Sequence, residues 1–169
     1  MGAEHEEGFS LLETMIALLI LLVVTLGILP LTLLATSATE NGHLMARTTE
    51  YAQDKLEQLL ALTYGDATSD TRIFPTADVG GSGLIPGGSA TPGAPVALYV
   101  DYLDISGTLV PSVGVAEPAG WFYKRAWQVT VPRANLKQVT VTAIVRRASA
   151  GGTGQIPQAT VVALKSFPF

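Results

Sequence analysis

The feature that most constrains this chain is an apolar run over residues 15–35 that contains no charged residue. Its 21 positions are enough to cross a bilayer as a helix, which takes about 20 residues at ~1.5 Å each. A secretory signal peptide differs in kind. It has a basic start, an apolar region of about 7–15 residues and a small-residue cleavage site behind it. Here the start is acidic (Glu4, Glu6, Glu7), the run is longer, and a lone carboxylate, Glu13, stands at its front edge. A carboxylate costs about 2.5–3.5 kcal/mol at the bilayer centre and less near the interface, so Glu13 requires a role. Helix capping supplies one: Ser10-Leu11-Leu12-Glu13 fits the S-x-x-E capping box, and a negative charge in the first turn suits the helix dipole.

The helix starting at Ser10 is weakened at Thr25, Gly27 and Pro30. A proline inside a helix removes one backbone bond and crowds the carbonyl four residues back, so a bend is expected at Gly27–Pro30. Beyond Ala38 the pattern turns amphipathic. Met45, Thr49, Ala52, Leu56, Leu59, Leu60 and Thr63 recur at spacings of three and four, the signature of one helix face. Gly65 is a stop signal. Helix from residue 10 to residue 63 measures about 80 Å, and only lipid or other subunits can cover its apolar first half.

Residues 65–95 hold seven glycines and four prolines and read as a connecting loop. Strand patterns follow over 96–104, 121–131, 138–146 and 159–165. Val96, Leu98, Val100 and Tyr102 share one parity, as do Trp121, Tyr123, Arg125, Trp127 and Val129. Breaks are expected at 105–108, 132–135 and 151–154. The fold class is α+β: a long N-terminal helix packed by residues 44–63 on an antiparallel meander of about four strands with one covered face.

Chemistry of other kinds finds little support. There are no cysteines, so neither a disulfide nor a thiolate metal site can form. His5 and His43 are too few and too separated for a metal or triad site. Gly80-Gly81-Ser82-Gly83 lacks the Gly-Lys-Ser/Thr of a phosphate loop. Asp101 and Asp104 fall short of the three or more oxygen ligands that a cation needs, and read as turn or strand-end residues. No enzyme, cofactor or metal is expected. The charge is unevenly spread: residues 9–95 carry eight acids and three bases, residues 96–169 three acids and seven bases. A basic C-terminal half can meet nucleic acid, but its bases are interspersed rather than clustered, which favours pairing with acidic helices of neighbouring subunits.

Gly8-Phe9-Ser10-Leu11-Leu12-Glu13-Thr14-Met15-Ile16-Ala17 resembles the class III signal sequence of type IV pilins and type II secretion pseudopilins. The resemblance implies a leader over 1–8, cut after Gly8 by the prepilin peptidase, a membrane aspartyl peptidase. It implies an N-methylated Phe9 and a Glu13 that pairs with the N-terminal amine of a neighbouring subunit. It divides the rest into a transmembrane and assembly half (9–38), an amphipathic half (39–64), the loop (65–95) and the sheet domain (96–169). Pilins resemble this chain also in a proline at the place of Pro30, where with Gly27 the helix kinks or melts on assembly. The helix end Tyr51–Glu57 and the order of 123–129, 139–141 and 161–165 are similar to V-class minor pilins, with I-class pseudopilins close behind. Departures are a leader without Lys or Arg, the missing C-terminal disulfide, and Ala143 where relatives often have tryptophan. The implied function is a minor pilin at or near a fibre tip or in the assembly-priming complex, a type II secretion pseudopilin being the alternative. The implied partners are other pilins, the peptidase, the inner-membrane assembly platform and the membrane. The implied topology is single-pass, with a cytoplasmic N-terminus and a periplasmic C-terminal domain.

Overall fold

The computed structural model describes residues 10–62, 64, 84–146 and 156–167. The expected helix stop at Gly65, the turn at 151–154 and most of the 65–95 loop lie outside them. One helix, α1 (Leu11–Ala61), contributes to two compact units, residues 1–42 and residues 43–169.

The described part of the first unit, residues 10–42, is helix that no other described residue buries. Each large apolar side chain from Leu11 to Leu34 is at least half exposed. The second unit is the final part of α1 on a sheet. Its strands are β1 (Gly87–Gly88), β2 (Val100–Leu103), β3 (Leu109–Val110), β4 (Tyr123–Arg133), β5 (Leu136–Val145) and β6 (Gln158–Ser166). They run antiparallel in the order β3-β2-β4-β5-β6, and β1 pairs with β4 beyond the end of β2. The long strands are those the alternation predicts, and the α+β arrangement is the expected one.

The details depart from the pattern in three places. Val96 and Leu98 are half-exposed turn residues rather than strand, because Tyr99 N–H closes a turn onto the Val96 carbonyl at 3.0 Å and Leu98 takes φ 81°. β4 runs on through Pro132 to Arg133. The β4–β5 register shifts between Thr130 and Arg133, and such an irregularity leaves room for a residue that cannot donate a ladder bond. The buried helix face is also turned slightly from the expected one. Thr48, Ala52, Lys55 and Leu59 are buried, while Met45 is 48 % exposed and Thr63 lies outside the described residues. A scan for apolar spacing skips Lys55 because it is charged.

Two faces of the sheet bear cores. Toward α1, Ala52, Leu59, Trp127, Val129, Val139 and Val141 form the main one. The opposite face carries a smaller cluster of Val100, Tyr102 and Trp121. Trp121 thus leaves the parity of Tyr123, Arg125, Trp127 and Val129, because it precedes β4 and folds under the sheet. Cover on this face comes from loops. Tyr102 Oη donates to the Val115 carbonyl at 2.8 Å, and Lys124 pairs with Glu117.

Candidate functional site

The start of α1 is built as the sequence suggests, with one arm missing. Glu13 N–H donates to Ser10 Oγ at 3.2 Å, and Thr14 N–H donates to the Ser10 carbonyl at 3.2 Å. Ser10 is therefore the N-cap. The return arm of the capping box, from the Glu13 carboxylate to the Ser10 amide, is not made, and that carboxylate has no partner among the described residues. An acid is thus held at a fixed point on the helix and offered outward among exposed leucines. The hydroxyls that follow do the opposite. Thr14, Thr32, Thr36, Ser37 and Thr39 each donate to a carbonyl one turn back, at 2.8–2.9 Å, as does Thr25 to Leu21. They need nothing from lipid. The helix continues through Gly27 and Pro30, and a Cβ at Gly27 would meet nothing within 4 Å. Gly8 and Phe9 lie outside the described residues.

A second cluster, which sequence reasoning missed, joins α1 to the sheet. Lys55, 0 % exposed, lies 3.0 Å from Asp101 Oδ2 and 4.1 Å from the centre of the Trp127 ring. Arg125 grips the same Asp101 through both carboxylate oxygens, at 2.7 and 2.8 Å, and reaches Asp54 at 3.0 Å. Burial pushes the Asp101 carboxyl upward, but the charges of Lys55 and Arg125 outweigh it and hold it below its ordinary range. Burial pulls the Lys55 ammonium down, against the attraction of Asp101. The register gave a signal: Asp101 pairs across β2–β4 with Arg125, an acid directly opposite a base. No group of three metal-ligating side chains occurs among the described residues. The cluster is a lock. Asp104, the other acid considered for a cation, is a turn residue, its Oδ1 accepting from Ser106 N–H at 2.8 Å and Thr108 N–H at 2.9 Å.

A third feature closes the helix. Its last turn holds no basic residue. Lys165 of β6 supplies one, donating to the Leu60 carbonyl at 2.5 Å and to that of Leu62. Lys137 of β5 donates to the Tyr64 and Leu84 carbonyls at 2.5 and 2.6 Å. Cations at a helix C-terminus complement its dipole. Burial, followed by the charge of Lys137, pulls the Lys165 ammonium below its ordinary range.

Residues 5–29 match the family described as the prokaryotic N-terminal methylation motif. No curated protein and no solved structure matches the chain. The matched segment contains the cap, the carboxylate and most of the apolar run, and α1 is the one helix among the described residues long and apolar enough to cross a membrane.

Proposed function

We propose that this chain is the precursor of a minor type IV pilin-like subunit. Prepilin peptidase cuts it after Gly8, Phe9 is N-methylated, and the helix half from residue 9 packs with those of other pilins at or near a fibre tip. The methylation motif over residues 5–29 carries the reading. The outward, unengaged Glu13 carboxylate supports it. In lipid such a group lowers its energy by meeting a cation, and cleavage creates an ammonium on each neighbouring subunit. Pairing fixes register, and burial of the exposed leucines against other helices supplies contact.

Use as a nucleic-acid binder is less well supported, because five of the seven bases of the C-terminal half are engaged with other groups of the chain, Arg133 being exposed and Arg147 lying outside the described residues. Arg125 pairs with Asp101 and Asp54, and Lys124 with Glu117. Lys137 and Lys165 bond carbonyls at the end of α1, and Arg146 lies over the Trp121 ring.

Co-expression with a prepilin peptidase is expected to remove residues 1–8 and leave a methylated Phe9, read as the mass of the mature N-terminus. Gly8→Ala is expected to slow or stop the cut. Cleavage near residues 35–38 by an ordinary signal peptidase overturns the reading. Deletion of the gene separates a pilus from a secretion role: loss of piliation supports the proposal, and loss of secretion alone moves the subunit to a type II pseudopilus.

A further inference from the structure

The sheet face turned away from α1 carries a recess of about 480 Å³ that the fibre reading leaves unused. Its floor is Gln128 of β4, Thr140 and Thr142 of β5, and Gln158 and Thr160 of β6. Register sets Gln128 opposite Thr140 and Thr142 opposite Thr160, so these side chains rise from one face in adjacent rows. Loop residues 90–93 form the wall, held to the sheet by Lys124 Nζ donating to the Pro92 carbonyl at 3.3 Å. Ile144, across the ladder from Gln158, and Ile156 line the same end.

Among the described residues the lining mixes hydroxyl and carboxamide side chains with apolar ones and holds no charged group. Thr142 and Thr160 hydroxyls bond each other at 2.9 Å, while the carboxamides of Gln128 and Gln158 have no partner among the described residues. A charged ligand would find no counter-charge in such a site, and a wholly apolar one would strand its hydroxyls and amides. Hydroxyls and carboxamides both donate and accept, so they match a ligand that does the same. An extended peptide would instead take its bonds from a strand edge. We propose that the recess binds a neutral carbohydrate, whose hydroxyls meet the Thr and Gln side chains while its C–H faces lie on Ile144 and Ile156. Its volume falls within the range of small-ligand sites, about 300–1,000 Å³. The proposal is independent of the N-terminal processing chemistry.

The test uses the full chain in a detergent without a sugar headgroup, isotope-labelled at threonine and isoleucine methyls. It is titrated separately with lactose, maltose, chitobiose and a neutral alternating Val-Thr peptide. At least one disaccharide is expected to give saturable shifts at Thr140, Thr142, Ile144 and Ile156. Gln128→Ala, and separately the exposed Gln158→Ala, are expected to weaken that binding roughly tenfold, a lost hydrogen bond's worth, with the remaining methyl spectrum unchanged. The proposal is overturned if no disaccharide gives saturable shifts, if shifts fall elsewhere, if neither variant weakens them, or if only the peptide produces them.

Discussion

Residues 11–42 and 43–61 belong to one helix and satisfy their backbone in one way, yet their side chains have opposite surroundings. Over the first stretch no residue is buried; over the second Thr48, Ala52, Lys55 and Leu59 are. The first stretch carries an acid in its first turn, Glu13, with no partner among the described residues, and the second carries a buried lysine, Lys55, set against an aspartate on β2 and the ring of Trp127. A charge with an internal partner serves the fold. A charge without one does not.

The sharpest way to break this contrast is Asp101→Asn. It leaves Lys55 and Arg125 buried without their shared anion and is expected to cost about 3–5 kcal/mol in chemical denaturation followed by tryptophan fluorescence. Because the folded Asp101 carboxyl is held below its ordinary value, the stability it contributes is complete above the ordinary carboxyl range and is lost as pH falls through the depressed value. The variant should therefore also lose that acid limb. Unchanged stability in the variant would show that the lock does not hold helix to sheet.

Gly88→Ala tests the same unit through its backbone rather than its charges. Gly88 has φ 82°, and a Cβ there would press on the Trp127 carbonyl and come within 2.6 Å of the Tyr99 ring. A loss of about 2–4 kcal/mol is expected from strain and overpacking together. Leu98→Gly should act in the other direction and more weakly. Leu98 holds φ 81° with its side chain partly exposed, so glycine should raise stability by about 1 kcal/mol. No gain would mean that the side chain's contacts offset the backbone strain.

Glu13→Ala should have the smallest thermodynamic effect, within about 0.5 kcal/mol of the parent, because no contact among the described residues uses its carboxylate. It should also leave membrane insertion intact and abolish incorporation into fibres, read by shearing and immunodetection. Loss of stability on a par with Asp101→Asn would erase the distinction between the two stretches.

Much of this was legible from residue order alone. Ser10 was visible as a cap, and the apolar run as a helix long and apolar enough to cross a membrane, since both signals are local. The long strands were visible through alternation. Where two distant segments decide the outcome, local pattern failed. Lys55 drew no reading because its partner Asp101 lies far along the chain, and Val96 and Leu98 read as strand because turns with a left-handed leucine are rare. The second half of the capping box failed for a related reason: a motif states what a glutamate can reach, not what it does reach.

The hydrogen bonds from Lys165 and Lys137 to the carbonyls past Leu59 carry a consequence for biogenesis. The helix is finished by residues made about a hundred positions later. A chain emerging amino end first therefore carries a frayed helix terminus until β6 docks. That leaves the carboxyl end of α1 without its cations until the last strands of the sheet are in place.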